Sequence, residues 1–279
     1  MQNTQKRVLT IQDISAVGRC SITVALPIIS AAGIECSVLP TAVLSTHTGG
    51  FEGYTYRDLT SDITPIANHW KTLGLKFDAL YTGYLGSFEQ IELVSGIFDD
   101  FKAPGGVVII DPVMADNGVL YGGFSSDFPA AMAKLCAKAD VILPNLTEAA
   151  FLLGEEYNPA PDKDYVDGLL KRLRGLGAPN VVLTGVSFEP GKLGIASHND
   201  SGTGYFFREK IDGYYHGTGD VFASAFLAKY LSKRDLLESA GFAANFTVSC
   251  IIEKQKIPGE ARYGVPFERC LGQLAGIDK

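Results

Sequence analysis

The run Val107-Val-Ile-Ile-Asp111, followed by a helical pattern near 126–139 and a second apolar run at Val141-Ile-Leu143, decides the fold class. Short, continuously apolar runs are typical of strands buried on both faces, and strands that alternate with helices form parallel sheets. The alternation continues along the chain, with apolar runs at 8–12, 77–83 and 180–184 and helical patterns at 22–32, 88–101, 147–153 and 163–174. We therefore predict an α/β protein with a mostly parallel central sheet covered by helices on both faces.

The pattern changes after residue 184. Two β-rich runs at 191–198 and 202–208 are joined by the turn sequence Asn199-Asp-Ser-Gly202, which predicts an antiparallel pair at the edge of the sheet. Helical patterns follow at 220–231, at 236–252 and near 266–275. Since no repeat or linker divides the chain, residues 1–279 are predicted to form a single domain.

The composition is that of an ordinary globular protein and argues against several classes. Hydrophobic residues make up 46% of the 279 residues and charged residues 20%, unlike disordered or coiled-coil chains. No apolar stretch approaches the roughly 20 residues that a membrane-spanning helix needs, and the first seven residues lack the apolar core of a signal peptide. With 24 Lys+Arg against 31 Asp+Glu, the net charge is −7, which disfavours a nucleic-acid partner. We expect a cytoplasmic protein without a membrane or nucleic-acid partner.

The five cysteines and four histidines show no metal-binding spacing. The cysteines lie far apart without a C-x-x-C pair, and the histidines form no H-x-x-x-H or H-E-x-x-H pattern. Zinc sites and disulfide frameworks need close pairs or an oxidising compartment. Most of these residues are therefore expected to pack in the core or to lie at the surface.

Polar side chains follow the predicted parallel strands at the points where the strands end. The segments are Gln12-Asp13 with Ser15, Thr82-Gly-Tyr84, Asp111-Pro-Val-Met-Ala-Asp116, Pro144-Asn-Leu-Thr-Glu148 and Thr184-Gly185. Ligands of an open parallel sheet bind outside the carboxyl ends of its strands. Singly, each residue could belong to a turn or a helix cap, and Thr147 fits an N-cap. Together, carboxylates and hydroxyls after five strands favour a metal-assisted polar site.

The sharpest local feature is His216-Gly-Thr-Gly-Asp220, which leads directly into a helical pattern. Glycines before a helix let backbone N–H groups converge on an anion, and the helix dipole adds partial positive charge. A carboxylate repels a phosphate, so Asp220 makes sense there as a general base that takes a proton from a substrate hydroxyl. The alternative is that Asp220 only caps the helix. The segment is neither a Walker A motif nor a dinucleotide-binding loop.

Taken in order, these motifs resemble those of pyridoxal kinases, in the ribokinase-like superfamily of small-molecule kinases. Gly217-Thr-Gly-Asp220 is similar to the anion hole and catalytic base of the superfamily, and Asn145 with Glu148 is similar to its N-x-x-E motif. Three further segments resemble the D-P-V-[ML]-G-D, N-H-T-G and T-G-Y motifs of pyridoxal kinases, namely Asp111-Pro-Val-Met-Ala-Asp116, Thr46-His-Thr-Gly49 and Thr82-Gly-Tyr84. The resemblance extends from Gln12 to the helix after Asp220.

The resemblance implies ATP-dependent phosphorylation of the 5′-hydroxymethyl group of pyridoxal, pyridoxine or pyridoxamine. Asp220 would be the general base, beside an anion hole formed by Gly217, Thr218 and Gly219. The groups around Mg²⁺-ATP would be Asp111, Asn145, Glu148 and Thr184, with Glu148 acting chiefly through the magnesium ion, and Asp116 would help to bind a monovalent cation such as K⁺. The substrate ring would be bound by Asp13, Ser15, Thr48 and Tyr84. Homodimers are common in this branch, so a homodimer is expected.

Several departures from the family pattern leave alternatives open. Asp13 stands where pyridoxal kinases usually have a serine, and the run Asp13-Ile-Ser-Ala-Val-Gly18 resembles part of the hydroxymethylpyrimidine kinase motif. A carboxylate only accepts hydrogen bonds, whereas a hydroxyl can also donate one. A hydroxymethylpyrimidine kinase, or a kinase with both specificities, is therefore the main alternative. A vitamin-binding protein without transfer chemistry is a third. His216 is expected to be a packing residue, and Cys20 an inert apolar contact beside the substrate ring.

Overall fold

The computed structural model describes residues 5–277 as a nine-stranded sheet between two layers of helices, with a separate two-stranded hairpin. The strands are β1 (Arg7–Val17), β2 (Glu35–Thr46), β3 (Tyr56–Asp58), β4 (Phe77–Thr82), β5 (Lys102–Ile110), β6 (Ala115–Asp116), β7 (Val119–Leu120), β8 (Val141–Ile142), β9 (Asn180–Val186), β10 (Lys192–Asn199) and β11 (Gly202–Glu209). The helices are α1 (Ile22–Ala31), α2 (Thr60–Thr72), α3 (Phe88–Phe101), α4 (Phe128–Cys136), α5 (Leu146–Leu152), α6 (Lys163–Gly175), α7 (Thr218–Lys233) and α8 (Leu236–Gln255).

The sheet has a parallel centre and antiparallel edges. Its strand order is β11-β10-β9-β8-β5-β4-β1-β2-β3. The six strands from β9 to β2 pair in parallel, whereas β10 runs antiparallel to β9 and β11, and β3 runs antiparallel to β2. This confirms the predicted α/β class, the two-sided covering by helices and the antiparallel pair after residue 184. The small hairpin β6–β7 lies outside the sheet.

Both faces of the sheet are buried, as the continuous apolar strands predicted. Successive residues of β1 show this, because Val8 packs in the core formed with α1, α7 and α8, and Leu9 packs in the opposite core with α2 to α6. Helix α7 is buried along most of its length and packs against α1 and α8. The carboxyl ends of the parallel strands therefore form a firmly supported edge. None of the helices in residues 5–277 is both long and apolar enough to span a bilayer.

Two local predictions are wrong. The predicted helix near 266–275 is instead a pair of short 3₁₀ segments, Phe267–Arg269 and Leu271–Leu274, whose buried residues fit a period of three as well as one of 3.6. Thr147 is not the N-cap of α5, because Asn145 takes that position and accepts a hydrogen bond from the backbone N–H of Glu148. The Thr147 hydroxyl instead accepts a hydrogen bond from the N–H of Gly118.

Candidate active site

A cavity of about 540 Å³ lies along the carboxyl ends of the parallel strands. Its wall includes every residue that the sequence analysis assigned to the site, from segments that are far apart in the chain. These residues are Asp13, Ser15, Thr48, Tyr84, Asp111, Asp116, Asn145, Glu148, Thr184, Gly217, Thr218, Gly219 and Asp220. The volume is in the range of small-molecule pockets.

The N-terminus of α7 opens into this cavity and is built to receive an anion. Gly217 is the N-cap in a left-handed conformation with φ of 73°, and a Cβ there would lie 1.9 Å from the carbonyl oxygen of Arg19. Only glycine fits this position. The N-cap has no side chain that could occupy the first-turn N–H groups, and a Cβ on Gly219 would meet nothing within 4 Å. These N–H groups are therefore free to hold a negatively charged group.

Asp220 lies in the first turn of the same helix and is half-buried in the cavity wall. Burial raises the pKa of its carboxyl group to about 7, and the negative charge of Asp13 acts in the same direction, while a hydrogen bond from the backbone of Ser21 lowers it. A carboxylate whose pKa lies near neutrality is suited to accept a proton from a hydroxyl group. The N-cap of α7 is Gly217 and not Asp220, and the role of Asp220 as a general base stays a prediction.

Asp111 and Glu148 form a second acidic group beneath the cavity. Glu148 accepts hydrogen bonds from the N–H groups of Met114 at 3.1 Å and Asn145 at 2.9 Å. Burial nevertheless raises its pKa to about 8, and burial together with the charge of Glu148 raises the pKa of Asp111 well above its ordinary value. Two buried carboxylates that repel each other fit a divalent cation. Within residues 5–277 no three His, Cys, Asp or Glu side chains are grouped to hold a metal, so a magnesium ion here would rely on water and phosphate for its other ligands.

Asp116 organises the rim of the cavity. Its carboxylate accepts hydrogen bonds from the backbone and side chain of Asn117 and from the Tyr214 hydroxyl at 3.2 Å. The side chain of Asn145 donates to the carbonyl oxygen of Ala115 at 2.8 Å, which ties the β6–β7 hairpin to the start of α5. The role of Asp116 at a monovalent cation stays a prediction.

The candidate ring-binding residues line one end of the cavity. Asp13 is only 4% exposed and accepts hydrogen bonds from the hydroxyls of Ser15 at 3.0 Å and Ser21 at 2.5 Å. Thr48 lies in the loop after β2, and Tyr84 packs against the Phe124 ring with 5.5 Å between centroids. This end therefore combines a buried carboxylate with aromatic and hydroxyl groups.

The loop after β2 is fastened by the C-terminal part of the chain. The N–H of Gly49 donates to Nδ1 of His47, so Nε2 carries the proton and donates to the carbonyl oxygen of Arg262 at 2.6 Å. The Arg262 guanidinium donates to the carbonyl oxygen of Gly50 and lies over the rings of Phe51 and Tyr263. We call the contacts of His47, Gly50 and Phe51 with Arg262 and Tyr263 the C-terminal clasp.

The sequence analysis missed several residues that line the cavity. His216, expected to be a packing residue, packs against Gly49 and lies 5.1 Å from the His47 ring, but it also faces the cavity. Cys20, which was expected beside the substrate ring, does line the cavity, and burial and nearby carboxylates raise the pKa of its thiol well above the ordinary value, which disfavours the nucleophilic thiolate. An apolar end of the cavity is formed by Leu193, Ile195, Ile211, Ala244, Val248 and Ile251. Apolar side chains in strands and helices give no signal that separates a cavity wall from a core.

Phosphoryl transfer requires groups that hold an anion, a general base beside them and groups that hold a cation. The cavity offers a helix N-terminus, a buried carboxyl group beside it and a pair of carboxylates for these three tasks. The fold and the site thus define the class of small-molecule kinases, with the apolar end of the cavity available to a flat ring.

Comparison with known proteins agrees with this class. The phosphomethylpyrimidine kinase family matches residues 26–264. A pyridoxine kinase of Bacillus subtilis is 30% identical over 184 residues, which cover 65% of this chain and 66% of the relative. The crystal structure of a pyridoxal kinase from Lactobacillus plantarum superposes with a TM-score of 0.90 at 31% identity and covers 97% of each chain.

A second similar crystal structure combines the name of a pyrimidine kinase with bound pyridoxal. This Bacteroides thetaiotaomicron protein, provisionally assigned as a phosphomethylpyrimidine kinase, was solved with pyridoxal. It superposes with a TM-score of 0.93 at 35% identity, over 97% of this chain and 96% of its own. The present chain belongs to the phosphomethylpyrimidine kinase family of ribokinase-like kinases, together with pyridoxal kinases.

Proposed function

We propose that the protein phosphorylates the 5′-hydroxymethyl group of vitamin B6 forms, with ATP as the phosphoryl donor. The observation that carries this proposal is Asp220, a carboxyl group with a pKa raised to about 7 beside the free N–H groups of α7. The pyridoxal bound by the Bacteroides thetaiotaomicron protein at 35% identity supports the choice of ring.

In this reaction Asp220 accepts the proton of the hydroxymethyl group as the hydroxymethyl oxygen attacks the terminal phosphorus of ATP. The bond between that phosphorus and its bridging oxygen breaks, and ADP leaves. The N–H groups of Gly217, Thr218 and Gly219 hold the negative charge of the transferring phosphoryl group. Thr184 and Asn145 line the path of the phosphates, and the apolar end of the cavity takes the nucleotide base.

A magnesium ion fits at Asp111 and Glu148, because their mutual repulsion leaves negative charge uncompensated. When bound, it would neutralise phosphate charge. Asp116 at the cavity rim is the group that we propose for a monovalent cation.

The experiment is ATP-dependent phosphorylation of pyridoxal, pyridoxine and hydroxymethylpyrimidine, side by side with magnesium and potassium present, using the Asp220→Asn variant as a control. We expect turnover on the B6 forms that falls by about 10²–10⁴ in the variant. Tight pyridoxal binding without ADP formation would instead identify a vitamin-binding protein.

The second candidate is a hydroxymethylpyrimidine kinase, favoured by the buried carboxylate of Asp13 at the ring end. An exocyclic amino group can donate to a carboxylate, which cannot donate in return. Preferential turnover of the pyrimidine in the same assay would select this candidate.

A further inference from the structure

Gln90, in the first turn of α3, is a buried amide behind the wall of the cavity. None of its surface is exposed, and it is not one of the residues that line the cavity. Its amide oxygen accepts the backbone N–H of Gly86 at 2.7 Å. Its amide nitrogen donates to the carbonyl oxygen of Thr41 at 3.1 Å, to the hydroxyl of Thr60 at 2.9 Å and to the carboxylate of Asp58 at 3.3 Å. Since an N–H can only donate, Gly86 fixes which end of the amide is the oxygen.

The nitrogen end of this amide is fastened to the edge of the sheet. Thr41 belongs to β2, Asp58 is the last residue of β3 and Thr60 begins α2. Asp58 also accepts the N–H of Thr60 at 2.8 Å and the Thr60 hydroxyl at 2.5 Å. Desolvation raises the pKa of Asp58, but the donors of Thr60 and Gln90 outweigh it and hold the pKa below its ordinary value. Asp58 is therefore a charged acceptor that helps to hold the amide in one orientation.

The oxygen end of the amide holds the loop that carries Tyr84. Gly86 follows Tyr84 by two residues in the connection from β4 to α3. A Cβ on Gly86 would lie 2.6 Å from the Tyr56 hydroxyl and 3.6 Å from Cε1 of Tyr84, so the Gly86 backbone packs closely beside the Tyr84 ring. That ring lines the cavity and also packs against Phe124. The position of the Tyr84 ring therefore depends on where Gly86 is held.

We infer that Gln90 is a positioning residue for the end of the cavity that Tyr84 lines. It fixes Gly86, and through Gly86 the Tyr84 ring, against the edge formed by β2 and β3. Because the connection consists only of residues 83–87, a shift at Gly86 is passed on to Tyr84. Without the amide, the N–H of Gly86 and the carbonyl oxygen of Thr41 would lose this partner. The inference rests on the proposed function, because it assumes that a ring alcohol binds beside Tyr84.

The test compares Gln90→Met with the matched control Thr60→Val, using pyridoxine and hydroxymethylpyrimidine as separate substrates. Both substitutions nearly keep the size of the side chain and break the hydrogen bond between Gln90 and Thr60, so both should lower the urea midpoint of unfolding. Only Gln90→Met also removes the acceptor of the Gly86 N–H.

We expect Gln90→Met to raise the KM for the ring alcohol that is turned over by about threefold to tenfold, the effect of losing one hydrogen bond. The KM for ATP and kcat should change by less than about twofold, because the side chain of Gln90 bonds to none of the described residues of α5 or α7. Thr60→Val should leave both KM values and kcat within about twofold of the wild type.

A KM for the ring alcohol that is unchanged in Gln90→Met, or that rises equally in Thr60→Val, would overturn the inference, and so would an equal rise in the KM for ATP. If Gln90→Met does not fold, Gln90→Asn, whose amide is one methylene shorter, takes its place under the same criteria. If the wild type turns over neither ring, the proposed function fails, and calorimetry with pyridoxine tests the inference. Binding of pyridoxine that is weakened in Gln90→Met but not in Thr60→Val then supports the inference, and equal or absent binding refutes it.

Discussion

If Asp220 is the general base, as we propose, the rate of phosphoryl transfer should rise with pH between about 6 and 8. Its pKa is raised from 3.8 to about 7, chiefly by burial. Only the deprotonated carboxylate can accept the proton of the substrate hydroxyl, so the protonated enzyme is inactive. Activity is therefore lost as the pH falls through the pKa of the folded protein.

The size of this effect follows from the shifted value. A group with a pKa of about 7 is roughly one-tenth deprotonated at pH 6 and nine-tenths deprotonated at pH 8, so kcat should increase about tenfold. At the ordinary value of 3.8, the same group would be almost fully deprotonated at both pH values, and the change would be about 1%. The raised and the ordinary pKa of Asp220 thus predict clearly different pH–rate profiles.

The assay is the initial rate of product formation at saturating ATP and ring alcohol, from pH 5.5 to 8.5. Glu148 titrates in the same region, with a pKa of about 8. If titration of Glu148 caused the rise in the pH–rate profile, this rising limb would move to lower pH as the magnesium concentration is increased. A rising limb caused by Asp220 would stay in place. Asp220→Asn should abolish the limb, and Glu92→Gln, which removes a carboxylate exposed on α3 outside the cavity lining, should keep it. A flat profile in the wild type, or an unchanged limb in Asp220→Asn, would refute the assignment of Asp220 as the base.

Three further predictions concern stability and substrate affinity. Gly217→Ala should lower the free energy of unfolding by about 1–3 kcal/mol, because its Cβ would lie 1.9 Å from a carbonyl oxygen at φ of 73°. Gly219→Ala has open space around the Cβ and should change the free energy of unfolding by less than about 0.5 kcal/mol. Urea unfolding of both variants checks this difference. In magnesium-free buffer, the free energy of unfolding should fall between pH 5 and 8, because the pKa values of Glu148 and Asp220 are raised to about 8 and about 7 and the folded state binds these protons more tightly than the unfolded state. Glu148→Gln should make the fall shallower by about 1 kcal/mol per pH unit and leave the part due to Asp220, and an equally steep fall in that variant would count against the explanation. Arg262→Ala should raise the KM for the ring alcohol about threefold to tenfold while kcat stays nearly constant, because the loop at 47–51 loses its contacts with Arg262. An unchanged KM in steady-state kinetics would show that the C-terminal clasp does not act on the site.

The parallel sheet and the assembly of the site could be predicted because each strand carries its own signal. The run at 107–111 is apolar on both faces and ends in Asp111, so the rule that ligands bind at carboxyl strand ends placed Asp111 in the cavity. The same rule placed Asp13 and Thr184 there. Their chemical roles stay predictions, since the structure shows where they lie and not what they bind.

Asn145 and Thr147 are both good N-cap residues, and the capping-box spacing of Asn145 from Glu148 could have selected Asn145 from the sequence. Other features depend on contacts that a linear sequence does not display. Strand β2 contains Pro40, which weakens the strand signal although the residue pairs with Gln12 of β1. Ser15 could be expected to donate a hydrogen bond to Asp13, because it lies two residues further along the same strand. Ser21 could not, because its hydroxyl reaches Asp13 only through an unusual backbone conformation.

The C-terminal clasp has a consequence for the order in which the protein becomes functional during its synthesis. The loop at 47–51 is made early, yet its partner Arg262 follows His47 by 215 residues. A nascent chain that has completed α7, and with it Gly217 and Asp220, already contains the groups that we propose for phosphoryl transfer but not the residues that fasten the loop proposed to bind the ring. Until residues 261–263 have left the ribosome, the growing chain contains the groups proposed for phosphoryl transfer, but its loop at 47–51 lacks the contacts that hold the loop in place.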